Sequence, residues 1–139
     1  MNQETFVRVR DVMTPSPHMI DGLATVTDAL AMMRRHEVSS LVIDKRDEGD
    51  EYGILVMQDI AAKVIGADRS PDRTSVYEIM SKPVLVVDAG MNIKYAIRKL
   101  VRFSLSRALV IDKGELVGIV TMRDMVLRFS PHSASATSS

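Results

Sequence analysis

The chain of 139 residues has no cysteine, no tryptophan and only six other aromatics, three Phe and three Tyr. Without cysteine there are no disulfides, no thiolate catalysis and no sulfur-ligated metal, and a reducing compartment is a natural setting. With so few aromatics, aliphatic side chains and ten methionines must fill an adaptable interior. Charge of one sign is also lacking: 18 Lys and Arg balance 18 Asp and Glu. On net charge alone, nothing draws the chain to a nucleic-acid backbone or an anionic membrane, and neither is expected as a partner. No apolar run approaches the roughly 18–20 residues needed to span a bilayer, and the opening MNQETFVRVRD has no apolar run before its first charges, so a cytoplasmic protein is expected. G-x-S-x-G, phosphate-loop and H-E-x-x-H patterns are missing, which leaves hydrolase and phosphotransferase readings without support.

What is present is an ordinary globular composition, 46% hydrophobic and 26% charged, written twice. Val12-Met13-Thr14 returns as Ile79-Met80-Ser81, and Ala29, Leu30 and Met33 return as Ala96, Ile97 and Leu100, all at a spacing of 67. Leu41-Val42-Ile43-Asp44 matches Leu109-Val110-Ile111-Asp112 at a spacing of 68, and Gly53-Ile54-Leu55 matches Gly118-Ile119-Val120 at 65, drift ascribed to insertions in turns. Each copy reads helical turn, strand, helix, strand, strand, helix. Thr25 and Asp28 form a capping-box pattern ahead of the stripe Val26, Ala29, Leu30, Met33, and Asn92 caps the equivalent stripe in the second copy. Paired apolar runs at 41–44 with 52–57, and 108–112 with 116–120, read as hairpins. The charged connection 45–51 reads as a solvated tip. The expected organisation is residues 1–66 as repeat 1 with its N-terminal segment, 67–74 as linker, 75–130 as repeat 2 and 131–139 as a disordered tail.

The order V-M-T-P, helix, apolar strand ending in Asp, then G-h-h-x-x-x-D leading into a helix resembles the cystathionine-β-synthase (CBS) domain family, over about residues 10–66 and 75–129. Each motif is common, and the duplication makes the set specific. The resemblance implies an α/β (α+β) fold of two β-α-β-β-α CBS repeats, related by a pseudo-twofold axis with their sheets packed together. It implies a non-enzymatic regulatory module that binds an adenine nucleotide (AMP, ADP or ATP, with NAD or S-adenosylmethionine as variants) in the inter-repeat cleft. A homodimer, a regulated partner protein and no cofactor are further implications. Gly118-Ile119-Val120-Thr121-Met122-Arg123-Asp124 matches the family's nucleotide signature throughout, whereas Gly53-Ile54-Leu55-Val56-Met57-Gln58-Asp59 has Val56 where a hydroxyl belongs. The resemblance also points to Lys82, Pro83 and Val84 at the edge of the adenine pocket. It further points to a basic residue five before the strand-ending Asp as a phosphate contact: Arg107 in repeat 2, replaced by Ser39 in repeat 1.

The chemistry suits these residues. Thr121 stands where a strand gives way to a helix, so its hydroxyl and the free amides of the first turn face one spot at the positive end of the helix dipole. An ionised Asp124 can accept two hydrogen bonds together, as the paired hydroxyls of a ribose require. Gly118 is expected to let a ligand approach the backbone, with Ile119 beside it. The structural alternative is that Thr121 and Asp124 are simply a capping box. Asp59 keeps the acid although Val56 cannot complete such a box, which favours binding. A scaffold whose sites have decayed, an enzyme acting on the nucleotide, and a nucleic-acid binder are the competing readings. His18, His36 and His132 fall in separate contexts without carboxylate partners, so no metal site is expected.

Overall fold

The computed structural model describes residues 6–82 and 84–129; Pro83 and the predicted tail at 131–139 lie outside the described residues. The chain forms two compact units, one from His18–Val84, here the central unit, and one from Met1–Pro17 with Leu85–Ser139, the terminal unit. Each holds one β-α-β-β-α repeat and its own sheet, so the mixed α/β class expected from the sequence is the observed one.

In the central unit β2 (Met19–Ile20) runs parallel to β3 (Ser40–Ile43), which pairs antiparallel with β4 (Gly53–Val56). Helix α2 (Val26–His36) crosses between β2 and β3. Its Thr25 hydroxyl accepts from the Asp28 amide at 3.1 Å while the Asp28 carboxylate accepts from the Thr25 amide at 3.2 Å, a closed capping box. It stops at Glu37, whose φ of 56° breaks the helical run. Val26, Ala29 and Met33 bury against Leu41, Ile43 and Leu55, with Ile60 and Val64 following from α3 (Met57–Ile60) and the wide turn Ala61–Ile65 that continues it. Val76 and Ile79 of the short helix α4 (Val76–Ile79) complete this core.

The terminal unit repeats the scheme. β5 (Val86–Asp88) is parallel to β6 (Arg107–Asp112), β6 is antiparallel to β7 (Glu115–Thr121), and α5 (Ile93–Arg102) crosses between, capped by Asn92. α6 (Met122–Phe129) follows β7. Ile93, Ala96 and Leu100 pack on Val110, Val120 and Met125. Val9 of α1 (Val9–Val12) joins this core, and β1 (Thr14–Pro15) adds an antiparallel edge to β7. The helical turn that precedes each repeat in sequence is therefore built into the unit of the other repeat.

Strand register corrects one correspondence. Ser40 pairs with Val56 as Arg107 pairs with Thr121, and Ile43 pairs with Gly53 as Val110 pairs with Gly118. β3 thus repeats in β6 at the helix spacing of 67, not 68, while β4 repeats in β7 at 65; the second hairpin also has an irregularity between Val110 and Ile111 that leaves Val117 unmatched. The residue equivalent to Arg107 is Ser40, and Ser39 is the equivalent of Ser106.

Candidate functional site

Two strand-to-helix turns, one per unit, carry the duplicated motif, and their hydrogen bonds differ. At the end of β7 the Thr121 hydroxyl accepts from the Asp124 amide at 3.1 Å, and the Met122 amide donates to the Ser106 carbonyl at 2.8 Å. The reciprocal half of the capping box is not made: among the described residues the Asp124 carboxylate accepts no hydrogen bond and enters no ion pair. It lines an open depression of about 380 Å³ with Asp11, Val12, Met13, Leu127 and Arg128. Arg107 is half-buried directly across the ladder from Thr121, so the two side chains stand on one face of the sheet.

In the central unit the acid is already occupied. Asp59 accepts from the Val56 amide at 3.3 Å and lies 3.4 Å from the Lys63 ammonium one turn on. Ser39 is exposed and contributes its backbone carbonyl to the Met57 amide at 3.0 Å. Lys82 pairs with Asp50 and its ammonium stands 5.2 Å above the Tyr77 ring. Val84 is half-buried in this same unit, while Pro83 lies outside the described residues. Lys82 and Val84 are thus gathered into the unit of Asp59, not that of Asp124. The bridge between Ser81 and Ile54 ties this segment to the first-repeat motif strand.

The edge beside β7 comes instead from residues the sequence reading did not select. Thr14 pairs with Ile119 and Pro15 with Gly118, and the Ser16 amide reaches the Val117 carbonyl at 3.2 Å with Ser16 at φ 54°. The repeated V-M-T-P motif was the available signal, since it occupies the place of Ser81 and Lys82 in the other copy. Gly118 is buried by this same edge: a Cβ there would lie 2.7 Å from both the Met13 sulfur and the Thr14 carbonyl oxygen. Its small size is required by the protein's own packing.

The charged connection 45–51 is largely exposed, as a solvated tip should be, and is also fastened down: Arg46 donates to the Tyr77 hydroxyl at 2.7 Å, and Asp50 accepts from the Lys82 ammonium and the Arg46 amide. The Lys82 hydrogen bond, then the Arg46 amide, hold the Asp50 carboxyl well below the usual carboxylate range, and the same pairing raises Lys82. The histidines are not all separate, because His18 and His36 stack with ring centroids 3.9 Å apart. Desolvation of the ring, then the neighbouring His18 and Arg35, lower the His36 pKa. Nearly parallel rings aim their nitrogen lone pairs side by side and not at one point, and among the described residues no cluster of three or more potential ligands exists.

Twin β-α-β-β-α units with a G-h-h-x-x-x-D turn in each define a tandem-repeat module. The CBS-domain profile matches residues 9–66 and 76–130, and the chain belongs to the CBS-domain family, whose modules are typically regulatory and non-catalytic. It is 34% identical over 125 residues to an uncharacterized protein of Methanopyrus kandleri, covering 88% of this chain but only 60% of that relative. Hypoxic response protein 1 of Mycobacterium tuberculosis is 28% identical, with 89% of this chain and 86% of that protein aligned. Among solved structures, a hexameric CBS-CP12 protein from bloom-forming cyanobacteria superposes with a TM-score of 0.83 at 32% identity, over 91% of this chain and 73% of that one. Among the described residues no helix is long and apolar enough to cross a membrane.

Proposed function

We propose that this chain is a ligand-sensing regulatory module whose terminal unit binds an adenine nucleotide through Asp124, Thr121 and Arg107. The carrying observation is the uncommitted Asp124 carboxylate, set against Asp59, which is tied to Val56 and Lys63. A carboxylate with both oxygens available suits the vicinal hydroxyls of a ribose. Arg107, which has no carboxylate bound to it among the described residues, is the group for a phosphate. AMP, ADP and ATP are the first candidates, with NAD and S-adenosylmethionine next. Binding regulates a separate partner protein by favouring one conformation of the module, and the nucleotide is released unchanged.

Calorimetric titration with the five compounds tests this reading. Saturable binding of at least one is expected, weakened about tenfold or more by Asp124→Ala, equivalent to about 1.4 kcal/mol, and little changed by Asp59→Ala. Heat from none of them would sink the nucleotide reading and leave the second one, a ligand-free scaffold. That alternative draws support from the hexameric relative, the first-repeat Val56 and the committed Asp59. Self-association belongs to both readings, with a homodimer as the simplest form.

A further inference from the structure

A cavity in the central unit takes no part in the nucleotide motif. It has a volume of about 280 Å³ and is lined by Asp21 and Leu23 directly after β2, by Asp44, Lys45 and Arg46 directly after β3, and by Tyr77 of α4. Neither Asp59 nor Lys82 of the same unit reaches it. Small-molecule pockets run from roughly 300 to 1,000 Å³, so this one suits a ligand at the small end.

The lining carries both signs of charge. Asp21 and Asp44 each spend Oδ1 on a local backbone amide, of Leu23 and of Lys45, both at 2.8 Å. Among the described residues the second oxygen of each carboxylate accepts nothing, and neither acid enters an ion pair. Arg46 is held in place, its guanidinium 4.4 Å from the Tyr77 ring centroid and its Nη2 donating to the Tyr77 hydroxyl at 2.7 Å. Its Nε stands 4.0 Å from Asp50, which leaves Nη1 without an acceptor among the described residues. The Lys45 ammonium lies 5.1 Å from the Tyr52 ring and has no carboxylate partner among the described residues.

The other repeat shows what belongs beside the first of these acids. Asp88 stands in the terminal unit where Asp21 stands here, at the spacing of 67, and it too accepts from the amide two residues on, Gly90 at 2.8 Å. There the neighbouring space is taken by the chain's own cations. Arg8 donates to the Gly90 carbonyl at 2.8 Å, and a Cβ added at Gly90 would lie 3.1 Å from Arg10 Nη2. At the same spacing Arg8 and Arg10 become Ser75 and Tyr77. One repeat thus brings two guanidinium groups to this turn, and the other brings a hydroxyl and a ring and keeps a cavity.

A phosphorylated ligand would meet two carboxylates in that cavity, and a simple amine would meet Arg46 and Lys45. A zwitterion satisfies both pairs, with its ammonium on Asp21 and Asp44 and its carboxylate on Arg46 and Lys45. Leu23 and the Tyr77 ring supply apolar surface for an aliphatic side chain. We infer that the central unit binds a free aliphatic α-amino acid in this cavity, at a second sensory site that shares no residue with the Asp124 motif and does not depend on the nucleotide reading.

The test is ¹⁵N–¹H correlation NMR on the full-length chain, titrated to about 10 mM with valine, leucine, isoleucine and methionine. N-acetyl-leucine, which lacks the ammonium, and leucinamide, which lacks the carboxylate, are the controls. Saturable shifts are expected from at least one amino acid, centred on the amides of residues 21–23 and 44–46, with both controls weaker by about tenfold or more. Asp21→Asn keeps the oxygen that accepts from the Leu23 amide and removes the charge, and it is expected to weaken binding by about tenfold or more. Tyr77→Arg installs the side chain that the other repeat has at this place and is expected to abolish the shifts, with a urea midpoint checking that it folds. Asp124→Ala is expected to leave amino-acid binding unchanged. No saturable shift from any of the four amino acids, or undiminished binding by Asp21→Asn, would overturn the inference and leave the nucleotide reading standing. Shifts centred on residues 121–124 would place the ligand at the nucleotide motif and refute a second site. Either control binding as tightly as leucine would refute recognition of a zwitterion.

Discussion

A glycine inside a strand loses backbone entropy and packs nothing, so its presence asks what needs the room. At Gly118 the answer is Met13 and the Thr14 carbonyl, and at Gly53 it is Met80, whose sulfur would lie 2.7 Å from an added Cβ. Gly118→Ala is expected to cost about 1–3 kcal/mol in urea unfolding. A loss below about 0.5 kcal/mol would mean that Met13 swings aside and the Thr14 backbone is no constraint. The sequence shows Gly and Met recurring together in both copies but not that they touch, which is why Gly118 read as a ligand contact. Asp59 teaches the converse. Val56 correctly marked the first motif as different, yet what occupies the acid is Lys63, a pair at i, i+4 that spacing alone offers. Asp59→Ala is expected to cost about 0.5–1 kcal/mol of stability, through the lost cap, without weakening nucleotide binding.

At the scale of elements, helices and hairpins were legible because their signals are local. The Thr25 box and the stripe to Met33 predict α2, which runs from Val26 to His36. Pairing register was less legible, since Leu-Val-Ile-Asp recurs at 41–44 and 109–112 one residue out of step with the ladders, and hydropathy does not distinguish the two alignments. The loop 45–51 was legible as charged but not as anchored, because its partners, Tyr77 and Lys82, lie about thirty residues away and only the fold brings them near. Asp50 has its pKa lowered in the folded state, so its contribution to stability is full above the usual carboxylate pKa and fades as pH falls through it. Lys82 is raised, so its share is full below the usual lysine pKa and is lost in strong alkali. The stability penalty of Asp50→Asn, read from urea midpoints, is therefore expected to be flat from about pH 5 to 9 and to shrink below about pH 4. A penalty that persisted undiminished at about pH 2 would show that shape, and not charge, holds the loop.

At the scale of the whole molecule, the duplication told how many repeats exist but not which segments each core owns. The sequence opens each copy with a helical turn, which in the structure holds Val9 and Val76, without saying which core that turn joins. Each lies fully buried in the core of the other repeat, Val9 with Ile93 and Val120, Val76 with Val26 and Leu55. Net charge is silent on distribution for a related reason, since an average over 139 residues cancels two halves of opposite sign. The ownership of these segments has a consequence for local stability. Removing residues 1–17 takes from the terminal unit Val9, whose side chain is worth roughly 1.5–3 kcal/mol when fully buried, and also the β1 edge that pairs with β7. The central unit keeps its own counterpart, α4, with Val76 and Ile79 in place. Hydrogen exchange on the truncated protein is therefore expected to show protection falling across β5, β6 and β7 while β3 and β4 retain most of theirs. Equal loss in both sheets would mean that the two cores open as one cooperative unit, and the division of the chain into separately stabilised halves would fail.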